Sequence, residues 1–150
     1  MQDFVRDLRQ TVESAAQQML EIPESQSERR PAPGQWSAKE VLGHLIDSAA
    51  NNHRRFVKTQ LKEDAVFPGY EQEGWVAVQK YQQASWADLI ALWKAYNLHL
   101  AHVASSIPEE ELKRSLRIGQ NAPVSLEYVV RDYDRHLQEH LRQLFSACAR

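Results

Sequence analysis

Six histidines occur in this chain, His44, His53, His99, His102, His136 and His140, and two of them stand at a spacing that can do chemistry. His136 and His140 are four residues apart, so on a helix their imidazoles project from one face about a turn apart. Two imidazoles so placed can share one ion, and a third ligand has to come from another element. His44 is the best placed for that role. It lies on the inner side of its own helical pattern, beside Leu45 and one turn after Val41. A polar row, His44, Ser48, Asn51 and Arg55, runs next to an apolar row, Leu42, Leu45, Ala49 and Phe56. That pairing predicts a lined cavity rather than a solid core. Three inward imidazoles suit zinc, nickel or a similar borderline divalent ion, with water or substrate in the remaining positions.

The competing reading is a set of structural histidines, each hydrogen-bonded inside a core. His99 is a rival ligand, because it follows Leu92 and Tyr96 on an inner helical face. His102 points further outward, and His53 falls about half a turn out of phase with His44 and reads as a surface residue.

A cation held by three histidines lowers the pKa of a bound water or thiol. The first outcome makes a hydrolase and the second a thiol transferase. Asp47, three residues after His44, is the candidate catalytic carboxylate, either orienting that imidazole or assisting a bound water. Glu71 and Glu73 could reach the pocket mouth, and Arg55 could meet an anionic thiol cosubstrate. Cys148 lies too near the C-terminus to persuade as a nucleophile. The chain has no nucleophile-elbow signature and no glycine-rich phosphate loop. Against both enzyme readings stands a non-catalytic bundle whose metal or cavity serves stability, sensing or small-ligand binding.

These side chains need long helices to position them, and apolar residues recur at three- and four-residue steps in four stretches. The first runs from about Asp3 to Leu20. The second opens at Ser37, where Ser37 and Glu40 form a capping box, and reaches Leu61. Trp36 is placed to staple onto Val41. The third starts at Ser85 and carries Leu89, Leu92, Trp93, Tyr96, Leu100, Val103 and Ile107 on its core face. The last spans about Leu126 to Ala147. Between the second and third lies a long link with a short helix expected over Glu71 to Gln82. No segment alternates with period two long enough to require a sheet. The expectation is an all-α four-helix bundle in one domain, residues 1–150. The long link permits a crossover that leaves the second and third helices parallel.

Composition is ordinary for such a domain: 150 residues, 43% hydrophobic and 25% charged. A formal net charge of -2 argues against a nucleic-acid partner. No stretch is apolar enough to cross a membrane, the N-terminus lacks signal-peptide features, and the single cysteine has no internal partner. The expected location is the cytoplasm.

The stretch WSAKEVLGHLIDSAANNHRRF, taken with DRHLQEHLRQLF, resembles the DinB-like superfamily with its YfiT-type members. His44 in GHLID, then His136 and His140 as H-x-x-x-H, match that family's motifs in order and separation. The resemblance implies an up-down-down-up bundle and a bound divalent metal, nickel or zinc. It implies a homodimer acting on a small-molecule substrate, with members described as metal-dependent hydrolases and others as low-molecular-weight-thiol S-transferases.

Overall fold

The computed structural model describes residues 1–149. Four long helices form the body: α1 (Gln2–Leu20), α3 (Ala38–Leu61), α5 (Trp86–Ser105) and α6 (Leu126–Cys148). Two short helices, α2 (Glu24–Ser27) and α4 (Gln72–Gln79), lie in the links. Ser37 and Ser85 start their helices as expected, and Ser125 starts the last one. Ser37 Oγ accepts the Glu40 N–H at 3.2 Å while Glu40 Oε1 accepts the Ser37 N–H at 3.0 Å, so the capping box is complete. Ser85 and Ser125 cap α5 and α6 with a single bond each, their hydroxyls accepting the Asp88 and Tyr128 N–H groups.

Side-chain contacts settle the helix directions. Gln2 reaches the Ser105 carbonyl and Trp86 Nε1 donates to the Met19 carbonyl, so α1 and α5 are antiparallel. Lys39 Nζ lies within 3.4 Å of the Gln82 carbonyl, just before α5 begins, and His53 bonds Tyr96 further along. Helices α3 and α5 are therefore parallel. His44 meets His140 and Phe56 meets Tyr133, which makes α6 antiparallel to α3. The result is the expected up-down-down-up order, with α4 on the crossover. Its core includes fully buried Val12, Met19, Leu42, Trp93, Leu100, Leu126 and Leu144.

An ion-pair cluster ties the parallel pair at its N-terminal end. Lys39, 1% exposed, holds Glu24 at 2.7 Å and Glu28 at 3.0 Å, and Glu24 Oε2 also accepts the Trp86 N–H at 3.0 Å. One carboxylate on α2 thus bridges the starts of α3 and α5.

Two features differ from the sequence expectation. A small sheet is present: β1 (Ala65–Phe67) pairs in parallel with β2 (Ser115–Ile118), which pairs antiparallel with β3 (Val124–Ser125). Strands of three, four and two residues are too short for alternation to stand out from loop sequence. Leu92, expected in the core, is 50% exposed; Trp93 and Leu89 beside it fill the inner face instead.

Candidate metal centre

His44, His136 and His140 converge. Each offers one nitrogen, and these nitrogens all lie within 4.8 Å of one another. The His136 and His140 rings are 4.3 Å apart between centroids, and their Nε2 atoms are 3.0 Å apart. His44 stands 4.5 Å from His140 and 5.5 Å from His136, centroid to centroid. The helix phases explain this: α6 presents its i,i+4 pair to the one inward imidazole of antiparallel α3.

His44 is fully buried, and both of its ring nitrogens lack a hydrogen-bond partner. Burying such a group unpaired costs on the order of 1–3 kcal/mol. Burial, followed by the neighbouring His140 and His136, lowers its pKa to about 4. Burial and His140 also push His136 down. At neutral pH both are uncharged imidazoles with lone pairs to give, the form in which histidine binds metal. The donor set therefore fits a divalent cation.

Gln143, which the sequence reading missed, orients one of the three. Its Oε1 lies 2.8 Å from His140 Nδ1 and can only accept, so Nδ1 carries the proton and Nε2 keeps the lone pair facing His136. The signal was available: Gln143 is one turn beyond His140 on the same helix face. Trp36 packs its ring 5.2 Å from His44 and forms part of the wall.

Asp47 is buried but turned elsewhere. Its Oδ1 accepts from Tyr81 Oη at 2.6 Å and from Gln79 Nε2 at 2.8 Å, and it makes no hydrogen bond to His44. Burial raises its pKa against those two bonds. The carboxylate ties α3 to the end of the crossover. Gly43 makes room for this, since a Cβ there would overlap the Tyr81 ring.

The three histidines lie between two openings. A cleft of about 450 Å³ is lined by Ser48, Asn52 and Arg55 of α3, by Tyr70, and by Tyr133 and His136 of α6, among others. The polar row expected on α3 is thus present, with Asn52 in place of Asn51, whose amide instead bonds the Asp47 carbonyl. On the other side a depression of about 660 Å³ is lined by Trp36, Glu73, His140 and Gln143. Glu73 therefore reaches a pocket mouth, whereas Glu71 is the residue preceding α4. His99 does not join the centre. It is exposed on α5 with its ring 5.3 Å from that of His53, and His102 is exposed beside it. His53 is half-buried, its Nδ1 2.9 Å from Tyr96 Oη.

The model of the DinB superfamily matches residues 6–144, nearly the whole chain. The chain belongs to the DinB superfamily. Among curated relatives it is 21% identical, over all of its own length and 83% of the other's, to "Putative metal-dependent hydrolase OB0782" of Oceanobacillus iheyensis. Among solved structures it is similar to YfiT from Bacillus subtilis, described as "a probable metal-dependent hydrolase with an unusual four-helix bundle topology". That likeness has a TM-score of 0.85 at 20% identity and covers 97% of this chain and 84% of YfiT. It shows the fold. No described helix is long and apolar enough to cross a membrane.

Proposed function

We propose that this DinB-superfamily chain is a divalent-metal-dependent hydrolase of a small molecule, with His44, His136 and His140 as the metal ligands. The observation that carries this reading is His44, buried with both nitrogens unpartnered at the meeting point of two further imidazoles. The names given to the relatives agree with it. An all-nitrogen set favours zinc or nickel over magnesium or calcium, which prefer oxygen. When bound, such an ion supplies Lewis acidity at an open position, which makes water nucleophilic near neutral pH.

The chain's own residues supply the rest. His136 faces the 450 Å³ cleft, so a substrate lying there approaches the centre from the His136 side. Gln143 holds the His140 tautomer. Glu73, exposed at the other mouth, is placed to exchange protons with solvent on the His140 side. Asp47 is assigned a positioning role, anchoring Gln79 and Tyr81 at the end of the segment that carries Glu73.

The two openings favour one second reading, transfer to a low-molecular-weight thiol, in which one side admits the thiol and the other the acceptor. Metal content of purified wild type and His136→Ala after metal supplementation tests the premise, and equal, negligible content in both sinks it. Ester and amide hydrolysis and thiol conjugation by the loaded protein, with His44→Ala as control, then separate the branches. Inactivity in every assay despite a bound metal points to a binding bundle instead.

A further inference from the structure

Arg55 is 91% buried, being only 9% exposed, and it borders the cleft that opens onto His136. A buried guanidinium normally has a carboxylate, because an unpaired buried charge is among the costlier features a fold can carry. None of the ion pairs among the described residues includes Arg55. Its one hydrogen bond there is a long contact of 3.5 Å to Asn52 Oδ1. Most of its five N–H donors are left for something in the cleft. Burial also lowers its pKa, although arginine stays charged at any ordinary pH.

The cleft's other walls narrow the ligand. Ile118, Val124 and Val129, with the Tyr70 and Tyr133 rings, give it one apolar wall facing the polar Ser48, Asn52, Gln72 and Asn121. Asp132 sits on the same wall, held by Arg135 at 2.7 Å, and its negative charge disfavours a second charge on the guest. A dianion such as phosphate would meet one cation and one opposing carboxylate. A monoanion with two coplanar oxygens matches the guanidinium fork.

We propose that the cleft binds a small monocarboxylate with an apolar body, its carboxylate on Arg55 and its remainder directed toward His136. This deepens the hydrolase reading by naming a substrate class, and it rests on that reading only for what happens to the guest at the histidines. A carboxylate anchored at Arg55 leaves a second group, an ester or amide, free to reach the centre.

Binding to metal-free full-length protein keeps the two ideas separate, since a carboxylate then has no ion to coordinate. The probes are phenylacetate and hexanoate, their uncharged amides, and inorganic phosphate, titrated by calorimetry into wild type, Arg55→Lys and Arg55→Met. The expected result is a preference of at least tenfold for each acid over its amide in wild type. It should shrink to within twofold in Arg55→Met and be partly kept in Arg55→Lys. The arginine side-chain N–H resonance of Arg55 in wild type should move with the acid and stay put with the amide, a readout that needs no variant to fold. Equal affinity for acid and amide, a preference that survives Arg55→Met, or no binding of either acid overturns the proposal. Phosphate binding more tightly than both acids overturns the choice of carboxylate. Loss of metal binding in His136→Ala, by contrast, bears only on the hydrolase reading.

Discussion

Gln143 Oε1 accepts the Nδ1 proton of His140 at 2.8 Å, and that single bond decides which nitrogen of His140 faces the other imidazoles. Removing the acceptor while keeping the side chain's bulk, as in Gln143→Leu, frees the ring to flip or to change tautomer. Metal affinity should fall by about 10–100-fold, the usual effect of losing a residue that orients a metal-binding histidine. Competition against a chelator of known strength measures it, and unchanged affinity would show that Gln143 does not set the tautomer.

The metal-free protein should lose stability as pH falls from about 6.5 to about 4. The sign follows from His44. In the unfolded chain it takes a proton below about 6.5, the ordinary histidine value, whereas in the fold it resists protonation until about 4. The unfolded state thus binds more protons across that window, and stability contributed above it is lost on acidification. The size is about 3 kcal/mol from this residue. His136, also lowered, adds in the same direction. Urea denaturation at several pH values reads the slope. His44→Phe should flatten much of it, and an unchanged slope would mean that other groups carry the acid response.

Gly43→Ala offers a test in which the sign alone decides. Glycine to alanine inside a helix ordinarily stabilises by about 0.5–1 kcal/mol. Here the added methyl overlaps the Tyr81 ring, so Tyr81 must move and release its bond to Asp47. The expected change is a destabilisation of about 1–3 kcal/mol, as for other overpacked cores. A stabilised variant would mean that the Tyr81 contact is easily surrendered.

One turn before Gly43 on α3, the two sides of the Lys39 cluster should not be equivalent. Lys39→Met removes a fully buried cation and leaves Glu24 and Glu28, whose side chains are 52% and 46% exposed and can rehydrate. Glu24→Gln with Glu28→Gln leaves the buried ammonium without an anion, which should cost about 3–5 kcal/mol. Thermal unfolding of both variants compares them directly. A larger loss in Lys39→Met would contradict the burial argument.

The four long helices were legible because each carries apolar residues at helical steps, and Ser37 and Ser85 mark where two of them open. His44, His136 and His140 were legible for the same reason, since helical phase alone puts them inward. Phase is blind to where a side chain turns once it is inside. Asp47 has the right spacing to reach His44, yet the room left by Gly43 brings in Tyr81 from 34 residues away and redirects the carboxylate. His99 shares a helix with the core-facing Trp93 and Leu100 but looks out toward His53. Leu92 was misread because α5 is apolar on more than one side, which blurs the stripe that phase depends on. The small sheet's parallel pair joins partners about fifty residues apart, and its strands are too short for a local pattern to announce them.

That sheet has a consequence for how quickly the chain can reach this arrangement. β2 and β3 are neighbours in the chain and can zip together locally, but Ala65 must find Leu116 across a loop of about fifty residues. The chain between them contains all of α5, so the β1–β2 pairing closes a loop that spans that helix. An up-down-up-down bundle closes through short turns. This one also closes a long loop, and loop-closure entropy is incurred before the pairing returns any energy. Folding should therefore be slower than helix content alone suggests, with the strand pairing among the last contacts made. Ile118, which pairs with Phe67 across that closure, lines the cleft beside Arg55, so one wall of the cleft depends on the long-range pairing.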